Sequence, residues 1–341
     1  GTMPKTFWNH KKVLVTGADG FIGSHLCDEL LKTCKVICID DFVSGSERNI
    51  DHLLADPNFV FINHDLSQPI DLEIIEELKK FKIEFQGIQE IYNLACPMSA
   101  RKFLENRLAT IMANSYAVKN LLDIAVKYQA KFMQFSSSVV YGSREDRGSD
   151  FKVKEDDYGH VNQLSLRSAY DEGKRFAETI VGNYREIYGL DAKIARLFRV
   201  YGPRMEDEDD QLIPDFILNA LEDKEIKMSG REDFSSSFCY IEDVVDAVGK
   251  FMDSEAHGPI NIGSDVDIRI SDLLAIIIRE TGSQSSVVFG EEKIFVSELM
   301  LPDIGLAKNL LGWMPVVTLE KGLKKTIFDI KAHKQLHGFA A

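Results

Sequence analysis

The 341-residue chain contains no apolar run approaching the ~18 residues that a membrane-spanning helix needs, so no transmembrane segment is expected. Its five cysteines, Cys27, Cys34, Cys38, Cys96 and Cys239, are odd in number and form no Cys-x-x-Cys pair, which removes the usual zinc and thiol-redox signatures. All five lie in apolar surroundings and read as buried, unpaired thiols, in keeping with a reducing, cytoplasmic setting. Positive charge is scarce: 40 Lys and Arg stand against 54 Asp and Glu, a net charge of −14. Such a surface repels phosphate backbones, so nucleic acid is not expected as a partner, and a phosphate-bearing ligand must be held by local dipoles and a few placed cations. The start, Gly1-Thr2-Met3-Pro4, lacks a basic segment followed by an apolar one and does not read as a secretion signal. Gly1-Thr2 looks like a cloning remnant. There is no internal repeat, low-complexity tract or evident linker. The acidic run Glu206-Asp-Glu-Asp-Asp210 points its carboxylates in different directions, so it reads as a solvated loop and no metal is expected.

What is present is ordinary globular material, 45% hydrophobic and 28% charged, in a chain long enough for a large domain and a smaller lobe. Short β-branched runs at Lys12–Thr16, Lys35–Ile39, Phe59–Asn63, Gln89–Leu94 and Lys131–Ser136 alternate with helix-like stretches at Phe21–Thr33, Leu72–Lys80 and Ala109–Tyr128. A helix from about Ala169 to Tyr188, ended by Gly189, leads into the strand Lys193–Phe198, and one near Ile241–Asp253 leads into Ile260–Gly263. This rhythm predicts right-handed βαβ units and a Rossmann-type, doubly wound parallel sheet. The segments that break it suggest a smaller α/β substrate-binding lobe over the carboxyl ends of the strands, where open α/β sheets bind ligands. The expected division is 1–202 with 238–284 for the sheet domain and 203–237 with 285–341 for the lobe.

Two motifs carry chemistry. Gly17-x-x-Gly20-x-x-Gly23 follows a strand and opens a helix, the context a dinucleotide turn requires. Gly17 permits the turn, Gly20 lets the backbone approach a pyrophosphate, and Gly23 lets the helix pack on the strand, with the phosphates on the free N–H groups of the helix start. Asp40, in Ile39-Asp40-Asp41, ends the second strand 17 residues past Gly23. A carboxylate there accepts both hydroxyls of the adenosine ribose and repels a 2′-phosphate, which favours NAD over NADP. Asp65, in His64-Asp65-Leu66, ends the third strand and can either reach an adenine edge or cap the next helix. The second motif is Arg167-Ser-Ala-Tyr-Asp-Glu-Gly-Lys-Arg-Phe-Ala-Glu178. Four residues apart on a helix, Tyr170 and Lys174 share a face, and an ammonium beside a phenol favours phenolate. The tyrosine can then take a hydroxyl proton while hydride leaves for NAD. The strand ending Phe135-Ser-Ser-Ser138 offers the Ser137 hydroxyl to orient the substrate oxygen.

Together these residues resemble the extended short-chain dehydrogenase/reductase superfamily, in its nucleotide-sugar epimerase, dehydratase and decarboxylase branch. Ile91-Tyr-Asn-Leu-Ala-Cys-Pro97, Tyr158-Gly-His-Val-Asn162, Tyr170-Asp-Glu-Gly-Lys-Arg175, Ala195-Arg-Leu-Phe198, Tyr201-Gly-Pro-Arg-Met205, Phe238-Cys-Tyr240, Pro302-Asp-Ile304 and Leu311-Gly-Trp313 look most like UDP-glucuronate decarboxylases. The resemblance implies NAD, a nucleoside-diphosphate sugar (a UDP-sugar foremost), oxidation at C4 of that sugar, and a homodimer built on the helices that begin near Ala109 and Ala169. It implies Ser137, Ser138, Tyr170 and Lys174 as the catalytic set. For the cofactor it implies Gly17, Gly20, Phe21, Ile22, Gly23, Asp40, Asp41, Ser44, Gly45, Asp65, Leu66, Leu94, Ala95 and Asn114, together with Tyr170 and Lys174. Arg199, Arg204 and Tyr240 are implied for the substrate.

The chain departs from that pattern at the sugar. Val139 stands where decarboxylases and dehydratases place a glutamate, Ser236 and Met300 stand where the family places arginines, and Arg199 replaces its asparagine. Without the glutamate, 4,6-dehydration is not expected, C4 epimerisation needs no such group, and a C6 acid beside a C4 ketone still loses CO₂ as a β-keto acid. Arg199 is expected to replace the missing cation, since a charge-assisted bond to an anion is strong. The product therefore stays open between decarboxylation, epimerisation and a plain C4 ketone. Two rival readings are an NAD-binding protein with little catalysis and an oxidoreductase acting on something other than a nucleotide sugar.

Overall fold

The computed structural model describes residues 11–41, 49–94, 105–205, 212–229, 234–290 and 299–338. Seven parallel strands form the central sheet: β1 (Lys11–Thr16), β2 (Cys34–Asp40), β3 (Phe59–Asn63), β4 (Glu90–Asn93), β5 (Lys131–Ser137), β6 (Ala192–Leu197) and β7 (Ile260–Ile262). Their order is β7-β6-β5-β4-β1-β2-β3, so the chain reverses its direction of travel between β1 and β4, the switch point at whose carboxyl ends open α/β sheets bind ligands. This is a Rossmann-like α/β fold.

The strands are continuous apolar runs because both sheet faces are covered. Alternation sends Val13, Val15, Val36 and Cys38 to one face, where they pack on Leu26 and Cys27 of α1 (Phe21–Leu30) and on Val244, Ala247, Val248 and Phe251 of α6 (Ile241–Asp253). Leu14, Ile37 and Ile39 go to the other face, against α3 (Tyr116–Tyr128) and α4 (Ser168–Tyr188). A third apolar cluster lies beyond the sheet. It joins α5 (Leu212–Leu221), the strand Ile226–Ser229, α7 (Ile270–Thr281) and α8 (Leu319–Gly338) through Ile213, Phe216, Ile226, Met228, Leu273, Ile277, Leu323 and Ile327.

Two expected helices differ. The Ala109–Tyr128 stretch is interrupted: α2 (Arg107–Ala113) ends at Asn114, and Ser115 leaves helical geometry at φ −128°, ψ −84°. Asn114 Nδ2 and Ser115 Oγ donate to the carbonyls of Thr110 and Ile111, four residues back, an arrangement that bends helices. Leu72–Lys80 is not an α-helix. The chain extends at Ile75 and turns left-handed at Lys82, which leaves two 3-10 turns that still bury Leu72, Leu78 and Phe81. Four cysteines, Cys27, Cys34, Cys38 and Cys239, are free and buried, and burial pushes each thiol up. Cys96 and the acidic run 206–210 lie outside the described residues. Among the described residues no helix is long and apolar enough to cross a membrane, and no cluster of His, Cys, Asp and Glu is arranged to hold a metal ion.

Candidate active site

The glycine turn is compressed. A Cβ on Gly23 would lie 2.1 Å from the Gly17 carbonyl oxygen, and one on Gly20 would lie 3.2 Å from it. Gly17 itself has φ 74°, the left-handed region that favours glycine. Gly20 caps α1 with no side-chain bond to the helix start, and the first turn contains no acid. Free amides and the positive end of the helix dipole therefore face the crevice, and this cradle fits a pyrophosphate. Phe21 and Ile22 open α1.

Asp40 ends β2, with its Oδ1 accepting the Asp41 amide at 2.7 Å. Beside it lies an acid that the glycine motif conceals. Asp19 is 1% exposed, and its Oδ2 has no partner among the described residues. Burial first, and then hydrogen bonding to the Asp40 carboxyl, push its pKa up to about 9, so Asp19 keeps its proton at neutral pH. Asp65 is exposed and its Oδ1 accepts the Ser67 amide at 2.9 Å, the turn-capping alternative. Leu66 is buried, its carbonyl bound by Asn120. Leu94 follows β4, its amide on Thr16 Oγ1 at 3.1 Å. Ser44, Gly45 and Ala95 lie outside the described residues.

Across the crevice, β5 and α4 bring the second motif together. Tyr170 and Lys174 are both buried, with the Lys174 ammonium 5.9 Å from the centre of the Tyr170 ring. Lys174 Nζ donates to the Phe135 carbonyl at 3.0 Å, which ties α4 to β5 two residues before Ser137, with Tyr170 in the helix's first turn. Ser137 Oγ accepts the Val139 amide at 3.3 Å, and the buried Ser138 hydroxyl has no partner among the described residues. Asn114 reaches the same helix: a Cβ on Gly173 would lie 3.0 Å from its Nδ2, so Gly173 gives Asn114 its room. The two halves are bridged by a buried polar row across the strand ends, Thr16 Oγ1 to Asn93 Oδ1 and Asn93 Nδ2 to Gln134 Oε1, each 2.7 Å.

At the sugar side, Arg199 follows β6 and donates from Nη1 to Ser236 Oγ at 2.8 Å. The residue in place of the missing arginine thus touches the arginine in place of the missing asparagine. Burial, and then the like charge of Arg167, push Arg199 down to about 10. Arg167, one turn before Tyr170, is a site residue that sequence reasoning missed; only the fold brings it near Arg199. Val139 is buried, and Met300 packs with Val140, Tyr141, Val153 and Phe198.

Two residues expected at the substrate do not join this group. Arg204 binds Asp28 at 2.6 Å and Ser24 at 3.4 Å on α1, while its amide donates to Asp329. Tyr240 is buried in the outer apolar cluster, its ring 5.4 Å from that of Tyr201 and beneath Lys325.

Residues 13–263 match the NAD dependent epimerase/dehydratase family. UDP-glucuronic acid decarboxylase 1 of Xenopus tropicalis is 35% identical over 320 residues, which is 94% of this chain and 72% of that one. UDP-glucuronic acid decarboxylase 6 of Arabidopsis thaliana is 34% identical over 94% of this chain and 88% of its own. Among solved structures, the UDP-glucuronic acid 4-epimerase of Bacillus cereus, in complex with UDP-glucuronic acid and NAD, superimposes with a TM-score of 0.81 at 28% identity, covering 94% of this chain and 99% of that one.

Proposed function

The chain belongs to the NAD dependent epimerase/dehydratase family, and on that premise we propose that it is an NAD-dependent enzyme that oxidises C4 of UDP-glucuronic acid or a closely related UDP-linked sugar acid. The observation that supports this reading is the buried Tyr170–Lys174 pair, with Lys174 bound to the Phe135 carbonyl two residues before Ser137, in a chain that also has the compressed Gly17–Gly23 turn.

NAD, when bound, supplies the hydride acceptor and later the donor; the Gly17, Gly20 and Gly23 cradle would hold its pyrophosphate and Asp40 its adenosine ribose. Tyr170 takes the proton of the C4 hydroxyl and returns it at the end. Lys174 stabilises the Tyr170 phenolate that accepts this proton. Ser137 donates to the C4 oxygen and holds it in line with Tyr170. Arg199, steadied by Ser236, binds an anionic group of the substrate. With C4 a ketone, the C6 carboxylate is that of a β-keto acid: its C5–C6 bond breaks, CO₂ leaves, and a proton adds at C5 from solvent, because Val139 supplies no acid there.

Val139 also favours a second reading, C4 epimerisation, in which the ketone turns over and receives hydride on its other face. Incubation with UDP-glucuronic acid and mass measurement of the product separates the two. Loss of CO₂ supports the first, an isobaric product the second, and an unchanged substrate with unreduced cofactor removes both.

The exposed apolar side chains Leu108, Ile111, Met112 and Tyr116 on α2 and α3, with Phe176 and Tyr188 on α4, support a homodimer through these helices, which sedimentation tests. Four unpaired buried thiols support a cytoplasmic setting. The outer apolar cluster supports a smaller substrate lobe, with α7 packed into it as well.

A further inference from the structure

Behind the crevice runs a polar network that the proton transfer above does not use. Glu178 lies on α4 four residues beyond Lys174 and eight beyond Tyr170, on the same helix face. Its Oε2 accepts the Ser136 hydroxyl at 2.5 Å and Arg196 Nε at 3.0 Å, and its Oε1 accepts Arg196 Nη2 at 2.7 Å. Arg196, on β6, donates from Nη1 to the Tyr141 hydroxyl at 2.8 Å and covers the Tyr141 ring at 4.8 Å. Tyr141 in turn donates to Asn261 of β7 at 2.6 Å, and the Asn261 amide holds the carbonyls of Val153 and Asp303.

Ser136 and Tyr141 bracket the segment 137–140, which carries the Ser137 hydroxyl, the Ser138 hydroxyl and Val139. A single ion pair therefore grips both flanks of that segment and the helix bearing Tyr170 and Lys174. The side chains of Arg196 and Glu178 are only 11% and 12% exposed, so water has little access to replace the bonds they make. A two-toothed guanidinium–carboxylate contact is also directional, and it resists sliding of α4 along β5.

We infer that Glu178 is a positioning residue for the reaction: through Ser136 and Arg196 it sets the Ser137 hydroxyl against the Tyr170 phenol. The inference rests on the C4-oxidation reading. Its consequence is kinetic, because a displacement of about 1 Å between reacting groups costs on the order of a hundredfold in rate.

The test compares the full chain with Glu178→Gln, Glu178→Asp, Ser137→Ala and the Glu178→Gln/Ser137→Ala pair on UDP-glucuronic acid. Glu178→Gln is expected to lower kcat about a hundredfold with KM within about twofold, and Glu178→Asp to recover part of the loss. The paired variant is expected to fall no further than the worse single one, since both changes disable one hydroxyl. Should Glu178→Gln fail to fold, Ser136→Ala cuts the grip on β5 while sparing the ion pair, and it is expected to lower kcat about tenfold. An unchanged kcat, a loss carried by KM, or effects that multiply in the pair would overturn the inference and leave the proposed function standing. No turnover by the unaltered chain removes both.

Discussion

The two sides of the crevice are built on different principles. On the cofactor side the determinants are mostly backbone: a turn too tight for a Cβ at Gly23, an uncapped helix start, and the carboxylate of Asp40 at a strand end. On the side proposed for the sugar they are side chains delivered by separate elements, Tyr170 and Lys174 from α4, Ser137 from β5, and Arg199 beyond β6 with Ser236 from a distant strand. Every departure from the family pattern noted above falls on the sugar side. A side chain there can be exchanged and its loss offset by a neighbour, as Arg199 reaches Ser236. A turn whose atoms already touch offers no such exchange.

Four perturbations probe this contrast. Tyr170→Phe removes the group proposed to move the C4 proton and is expected to lower kcat by about 10³-fold or more with NAD still bound, measured by turnover and by the cofactor released on denaturation. Gly23→Ala drives a methyl into the Gly17 carbonyl and is expected to cost about 3 kcal/mol, seen as lost NAD retention and a lower thermal midpoint. If Gly23→Ala binds NAD normally, the backbone is less decisive than the contrast claims. Arg199→Ala is expected to weaken UDP-glucuronic acid by about 2 kcal/mol, roughly thirtyfold, while NAD affinity holds, as titration calorimetry can report. Adding Ser236→Arg to that variant should restore part of the affinity; no recovery would break the idea of an exchanged cation.

A further test, read as a pH dependence, concerns Asp19. Its folded pKa lies far above the unfolded value, so the stability it confers is complete below about pH 4 and is lost as pH rises toward and through about 9. Asp19→Asn escapes that loss. Its thermal midpoint relative to the parent should rise steadily between pH 5 and pH 9, by about 2–4 °C for each kcal/mol recovered. A difference independent of pH would mean that Asp19 titrates normally.

Much of the scaffold could be read beforehand, because a strand covered on both faces is an unbroken apolar run. Phe59–Asn63 and the stretch ending at Ser137 emerge as such. The glycine turn and the Tyr170–Lys174 pair were legible for a related reason: their chemistry depends on spacing within one short segment. What escaped depends on distant contacts. The break at Asn114 arises where that side chain backs onto Gly173, and the split of Leu72–Lys80 arises where its apolar groups must reach one core cluster. Arg167 beside Arg199, Asp19 beside Asp40, and Glu178 gripping Ser136 and Arg196 join residues 18 to 42 positions apart on different elements, with no local signature. Arg204 and Tyr240 show the converse. A family motif suggested them for the substrate, and the structure shows Arg204 bound to Asp28 and Tyr240 packed in the outer apolar cluster.

The row from Thr16 through Asn93 to Gln134 has a further consequence. Three interlocked polar side chains tie β1, β4 and β5 together, so on the proposed reading the spacing between the glycine turn and the Tyr170 helix is set by the sheet. Loops and outer helices can drift to admit other sugars without altering that span. On that reading, adaptation to a new substrate would proceed at the rim, with the sheet keeping the spacing it sets.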